Sequence, residues 1–536
     1  MLNIFYEEVG VDMQENVLNS CRYEYLVGNF QKGNQSFNRF AYVYSDSYFE
    51  NSADKYNPSL STMSLCLAIS TYVYKMFDNG VAIYSNQSKN LKLLLKELGF
   101  RKIELNSDFK SEPTLQTIGV ATGYKKINLN GKNYTLVPIV IRSCEYGAEW
   151  GNNMLAGISG NHYGFDRAAN IAKKFIDKYI NKTREIEGDI KFWIVGYSRG
   201  GAVAGLIGRL YNDYYDIYKS NRSFAVYNKN ISINKDDIYT YTFESPNGFS
   251  VKNSRHSGKY LNIHNVVNDN DYVTKVPVRY WGFCRPGVDH RILSGENREE
   301  IFRMKRILSK MCFNVFGDVK MKYTADKFRA CGFSWLLRDI NNQSDFLDCF
   351  LKMIANCFFC GQSHDFKKRF GRNMRGLRMA YFRREKAIAR LVELCASDEN
   401  FSNSLAEMFN KRYSNFNLCF KAIFNKPKFL ESVRKICDDV FWDYNRKQSQ
   451  VAPLKRLSEK EMKSLKSVIC HMLICFNKVY NYRYFYIFFK NVNHIFSVHE
   501  PEICLASLID KDQNRDIYLK QMKNIIHNFR INQFSE

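Results

Sequence analysis

Residues 190–205, Ile-Lys-Phe-Trp-Ile-Val-Gly-Tyr-Ser-Arg-Gly-Gly-Ala-Val-Ala-Gly, constrain the fold more than any other stretch of the chain. The bulky run Phe192 to Val195 suits a buried strand, and Ala202, Ala204, Gly205 and Gly208 are small where a helix would pack closely on a sheet. Between them stands G-x-S-x-G, with Gly196 two residues before Ser198 and Gly200 two after it. Glycines at those places let strand and helix approach through a turn too tight for side chains, and the serine hydroxyl is pushed into the open. Ser198 is therefore the candidate nucleophile. The five-residue pattern alone arises by chance about once in ten chains of this length at ordinary Gly and Ser usage. The flanking strand and helix decide against a plain glycine-rich turn.

The rest of the N-terminal half supports the same architecture. Pro58 to Phe77 and Asn90 to Leu98 have helical spacing, the second closed by Gly99. Arg101 to Leu105, Thr114 to Ala121 and Asn133 to Arg142 are short, rich in β-branched or aliphatic residues and separated by Asn and Gly turns, which predicts strands. A helix over Phe165 to Ile180, the elbow strand, the elbow helix to about Tyr218, and strands at Ile238 to Phe243 and Leu261 to Val267 follow. Strands joined by repeated helical crossovers predict an α/β fold, a mostly parallel sheet with helices on both faces. From about Arg291 to Asn491 the pattern turns to basic, aromatic-rich segments with helical periodicity, such as Ile301 to Phe313, Phe346 to Cys357 and Glu461 to Phe476.

At 536 residues the chain exceeds what one hydrophobic core usually serves. The expected organisation is an N-terminal extension (1–55), an α/β core carrying the elbow (56–290), a basic helical insertion or cap (291–491) and a return to the core (492–536). The net charge of +24 is uneven, since residues 291–536 hold 44 Lys and Arg against 26 Asp and Glu. Such an excess attracts anionic surfaces. Peripheral contact with an anionic membrane is expected; specific nucleic-acid binding is not, because no nucleic-acid signature is present. No window approaches the roughly 18 uninterrupted apolar residues of a membrane span, and Met1 to Gln14 lacks a basic or apolar leader. These features predict a soluble, cytoplasmic chain whose 15 cysteines are mostly reduced and buried.

A serine hydroxyl is a poor nucleophile at neutral pH, so the elbow implies a histidine base and a carboxylate to orient it. Elbow proteins order these as Ser, then Asp or Glu, then His. Asp269 and Asp271 both follow the strand ending near Val267, and His290, His364, His471, His494, His499 and His527 follow them. His499 comes after Asn493 to Val498, a plausible last strand, whereas His471 sits in an apolar helix and reads as a core histidine.

Several ordered motifs resemble the class-three, fungal-lipase-like family of α/β-hydrolases, and more closely its bacterial lipase-like members. They are Tyr146 to Asn152, Gly160 to Phe165, Gly196 to Gly201, Thr240 to Asn247 and Asn265 to Pro277, within roughly residues 55 to 290. The resemblance maps the family acid onto Asp271, with Asp269 the alternative. It matches Val498 to Ala506 to the family's His-to-helix stretch, which favours His499 over its main rival His290. The oxyanion donors it implies are the amides of Arg199 and Cys144. Relatives usually read Arg-Gly followed by Thr or Ser where this chain has Arg142-Ser143-Cys144, so a helping hydroxyl is absent.

The activity so implied is a serine ester hydrolase, a lipase or phospholipase of lipid metabolism, taking a lipid or small acyl ester and needing no metal or organic cofactor. Two alternatives stay open. One is a degenerate hydrolase fold that binds an anionic membrane or nucleic acid without catalysis; the other is an acyltransferase on the same three residues. Cys357-Phe358-Phe359-Cys360 with His364 invites a zinc site, but no second ligand pair at finger spacing accompanies it. No phosphate-loop signature exists. The aromatic-basic run Tyr480 to Lys490 reads as core packing or as a lipid-facing cap surface.

Overall fold

A computed structural model describes residues 42–71, 88–109, 117–143, 147–218, 230–250, 257–268, 273–277, 281–293, 381–398, 426–479 and 501–520. It also describes the short stretches 25–27, 36–38, 75–78, 81–84, 299–300, 302–304, 306–307, 400–401 and 404–405, and the single residues Asp271 and His499. Cys144, Asp269, the Cys357–His364 cluster, the strand expected at 493–498 and the run Tyr480 to Lys490 lie outside the described residues.

The sheet is built from β1 (Arg101–Leu105), β2 (Val120–Leu129), β3 (Lys132–Ile141), β4 (Gly188–Tyr197), β5 (Ile238–Phe243), β6 (Ile263–Asn268) and β7 (Val288–Ile292). Their spatial order is β7-β6-β5-β4-β3-β2-β1, with the short strand Ile231–Ser232 pairing the start of β4. Neighbours from β3 to β7 are parallel, while β1, β2 and β3 are joined antiparallel. The fold is therefore that of an α/β-hydrolase, a mostly parallel sheet between helices.

Period-2 alternation along the buried strands supplies two cores at once. Phe192 and Ile194 of β4 face one side, together with Val137, Ile139 and Ile141 of β3. That side is covered by α4 (Tyr163–Lys182) and α5 (Arg199–Tyr218). Trp193, Val195 and Tyr197 face the other side with Tyr239, Tyr241 and Phe243. Its cover is α1 (Pro58–Ile69), α2 (Ser88–Glu97) and a late helix, α9 (Pro501–Lys511). α1 is buried from Ser59 to Ile69, and its hydroxyls serve as partners: Ser64 Oγ accepts from Trp193 Nε1 at 2.7 Å, and Ser59 Oγ donates to Asp512 at 2.8 Å. Helices on both faces were expected, and one face draws its cover from residues more than 400 positions apart in sequence.

Three sequence expectations are corrected. The first helix stops at Ile69 rather than running to Phe77, because the Ser70 and Thr71 hydroxyls donate to the Leu67 and Ala68 carbonyls and take up its last acceptors. Residues 75–78 then form a strand. The expected strand Thr114 to Ala121 begins only at Val120. There, Asn106 and Asp108 side chains accept from the Val120 and Ile118 amides and hold the approach outside the ladder. Finally, no α-helix is described between β5 and β6 or between β6 and β7, where 3₁₀ turns at Ser257–Tyr260 and Val273–Lys275 stand instead.

The basic segment contains α6 (Glu385–Ser397), α7 (Lys426–Val451) and α8 (Glu459–Val479), which pack around a separate core of Leu391, Leu394, Val433, Ile436, Phe441 and Leu465 among others. α6 is tied to α3 (Gly147–Asn152) and the loop after it: Tyr381 donates to Met154 O at 2.7 Å, and Glu385 accepts from the Gly157 amide at 3.1 Å. Among the described residues no helix is long and apolar enough to cross a membrane, and no group of three or more His, Cys, Asp or Glu is placed to hold a metal ion. Cys66, Cys437, Cys470 and Cys504 are buried free thiols.

Candidate active site

β4 ends at Tyr197 opposite Phe243 of β5, so Ser198 and Glu244 leave the sheet side by side. Ser198 has φ +54, the left-handed region that costs a side-chain-bearing residue about 1–2 kcal/mol. Backbone bonds hold it there: its amide donates to Phe243 O at 2.8 Å, and its carbonyl accepts from Ala202 in the first turn of α5 at 3.1 Å. The glycines on either side are required by contact. A Cβ on Gly196 would lie 2.2 Å from Gly200 O, and one on Gly200 would lie 2.6 Å from Ile141 O.

The carboxylate comes from the loop after β6. Asp271 is 1% exposed; its amide donates to Asn268 O, its Oδ1 accepts from the Val273 amide at 2.8 Å, and its carbonyl accepts from Thr274 Oγ1. This compact turn aims Oδ2 at His499, whose Nδ1 lies 2.6 Å away. His499 Nε2 stands 2.7 Å from Ser198 Oγ. With the carboxylate accepting from Nδ1–H, the imidazole is fixed in the tautomer whose Nε2 accepts from the serine hydroxyl. Tyr197 steadies the ring from below: its hydroxyl donates to His499 O at 2.7 Å, and the two rings lie 5.3 Å apart.

What carries His499 across the gap of 228 residues from Asp271 is α9. That helix begins at Pro501, is buried from Pro501 to Ile509 and packs on α1. Its far end is pinned by Arg303 to Asp510 at 2.9 Å and Lys511 to Glu300 at 2.7 Å.

The rival His290 sits on β7, away from this arrangement. Its Nε2 donates to Nδ1 of His264 at 3.0 Å, its ring stacks on Tyr56 at 3.9 Å, and His264 in turn donates to Ala53 O. Burial, chiefly, keeps both imidazoles neutral, His264 being pushed down to about 4. His162 is likewise structural, capping α4 and stacked on Phe165 at 4.0 Å.

Arg199 opens α5, so its amide is among the N-terminal donors left without an intrahelical acceptor. Cys144, the other expected oxyanion donor, lies outside the described residues. The chain leading to it is anchored by a charged cluster that sequence reading missed. Arg142, at the end of β3, bonds Glu149 of α3 at 2.6 Å, and Arg199 approaches the same carboxylate at 3.6 Å, all three with no exposed side-chain surface. The second arms reach carbonyls, Arg142 to Asp108 O and Arg199 to Thr117 O. One carboxylate thus ties the end of β3 to the elbow helix. Glu149→Ala would strand two buried arginines, with an expected loss of about 3–5 kcal/mol in unfolding free energy, read from the urea midpoint. The only sequence sign of this was an acid within the motif Tyr146 to Asn152.

Residues 142–281 match the lipase (class 3) family. The matched segment contains Ser198, Arg199, Glu149, Glu244 and Asp271, and His499 lies beyond it. Similar solved structures include a triacylglycerol lipase described as having a serine protease triad at its catalytic centre (16% identity over 36% of this chain and 66% of that one, TM-score 0.25). Others are the triacylglyceride lipase of Rhizomucor miehei (14% identity, 44% and 78%, TM-score 0.26) and lipase II from Rhizopus niveus (15% identity, 36% and 68%, TM-score 0.24). The chain spans just under two thirds of the first of these. No curated protein matches the sequence.

Proposed function

We propose that the chain is a serine ester hydrolase acting on lipid-like acyl esters, of lipase or phospholipase type. The observation that carries this is the bridging position of His499, within 2.7 Å of Ser198 Oγ and 2.6 Å of Asp271 Oδ2. The class 3 lipase match over 142–281 agrees with it.

In the proposed reaction Ser198 Oγ attacks the ester carbonyl while His499 Nε2 takes its proton. Asp271 stabilises the imidazolium that forms, and the amides of Arg199 and Cys144 receive the charge on the carbonyl oxygen. His499 then gives the proton to the departing alkoxide. Water, deprotonated by the same nitrogen, releases the acyl group and restores the serine. No step calls on a metal or organic cofactor. A basic C-terminal half would bring the chain to anionic lipid surfaces, where such esters reside.

The test is hydrolysis of p-nitrophenyl esters of increasing acyl length by the full chain. Turnover that rises with acyl length supports the lipid-ester assignment. No release above the buffer rate at any length contradicts it.

A further inference from the structure

Besides Ser198, two side-chain-bearing residues leave this end of the sheet in the left-handed region, Glu244 after β5 and Leu293 after β7, and of these Glu244 carries a titratable group. Glu244, directly after β5, has φ +46 and is 1% exposed. The elbow explains the first; at Glu244 the chain bends as it leaves β5. Strain of this kind persists where the surroundings enforce it and tends to mark function.

The surroundings of the Glu244 carboxyl are specific. Oε2 accepts from the Asn268 amide at 3.0 Å, whereas no N–H or O–H donor reaches Oε1, which is fully buried. The carbonyl of the same Asn268 accepts from the Asp271 amide, which brings the Asp271 carboxyl beside that of Glu244, and the Cys504 thiol, a weak S–H donor, bonds Glu244 as well. Asp271 is well served in its charged form, accepting from His499 and from the Val273 amide. Two carboxyl groups side by side in a buried site do not both ionise, and the proton stays with the one whose charged form has the weaker donors. That one is Glu244.

Resting on the reading of Ser198, His499 and Asp271 given above, we propose that Glu244 is a positioning residue that keeps its proton through the working pH range and donates it to Asp271. The Asp271 carboxylate is then held from a third direction, its negative charge confined to the side that faces His499. Burial, and next the charge of Asp271, lift the Glu244 carboxyl well above the usual carboxylate range; burial does the same to the Cys504 thiol, which stays neutral beside it.

The test combines kinetics with a readout independent of activity. Glu244→Leu removes the donor, so kcat for ester hydrolysis falls roughly tenfold. The Asp271 charge that faces the imidazole is then no longer shared with a donor, and the acid limb of kcat/KM moves to higher pH. Glu244→Gln, a neutral donor of the same size, restores both towards wild type. If Glu244→Gln instead moves the acid limb down by a unit or more, an ionised Glu244 has been removed and the proposal fails. It fails too if Glu244→Leu matches wild type in both respects.

Infrared spectroscopy of the full chain supplies the second arm. A protonated-carboxyl C=O band should persist above pH 7 in the wild type and be missing in Glu244→Gln. Absence of that band from the wild type overturns the proposal, even for a chain with full esterase activity. A band without esterase activity overturns the hydrolase reading and leaves the proton on Glu244.

Discussion

Replacing Ser198 with alanine is expected to lower kcat for ester hydrolysis by about 10⁴-fold or more, leaving only what the oxyanion donors and substrate binding supply. Folding should hardly change. The bonds that fix the elbow are made by backbone atoms, from the Ser198 amide to Phe243 O and from the Ala202 amide to Ser198 O, and alanine keeps both. What is lost is Oγ, the atom 2.7 Å from His499 Nε2. Initial rates on a short p-nitrophenyl ester, taken with thermal melting of the same sample, separate the two effects. An unchanged melt with a collapsed rate is the expected pair; a variant within tenfold of wild type would mean that the nucleophile is elsewhere.

Asp271→Asn should cost about 10⁴-fold in kcat, comparable with removing the serine. The 2.6 Å contact to Nδ1 requires an acceptor, and an amide that turns its NH₂ towards the ring instead reverses the bond. The imidazole is then held in the tautomer that presents a proton, not a lone pair, to Ser198. The neutral amide would also leave the imidazolium without its counter-charge. The fold should survive, because the Asp271 amide and carbonyl make the turn through Asn268 O and Thr274 Oγ1. Rates measured across pH on the purified variant check this: a uniform loss supports the orienting role, whereas a loss under fivefold contradicts it.

Much of this site could be read before the structure because its parts are local. A strand, a turn with glycines two before and two after a serine, and a helix of small residues are recorded within 190–205, and the contacts that forbid a Cβ on Gly196 or Gly200 lie within that stretch or at the adjoining end of β3. Asp271 was legible for a similar reason, as it follows a strand at once. His499 was harder: its place depends on α9 packing against α1, a contact between residues near 60 and residues near 505 that no local pattern records.

The charged cluster of Arg142, Glu149 and Arg199 was invisible because arginine and glutamate ordinarily mark solvent, and only tertiary pairing makes them core residues. Glu244 was masked in the same way, as one acid at the end of an apolar strand. The end of the first helix was misjudged because Ser70 and Thr71 act through side-chain bonds to its own carbonyls, which hydrophobic spacing does not register.

Whether Ser198 is an activated nucleophile is read most directly by covalent labelling of the full chain with a fluorophosphonate, followed by mapping of the modified residue by peptide mass spectrometry. Phosphonylation requires a serine whose proton a neighbouring base removes. One adduct is expected, on Ser198, formed rapidly in the wild type, slowed at least a hundredfold in His499→Ala and absent in Ser198→Ala. A folded wild type that takes up no label, or that takes it up at another residue, would contradict it.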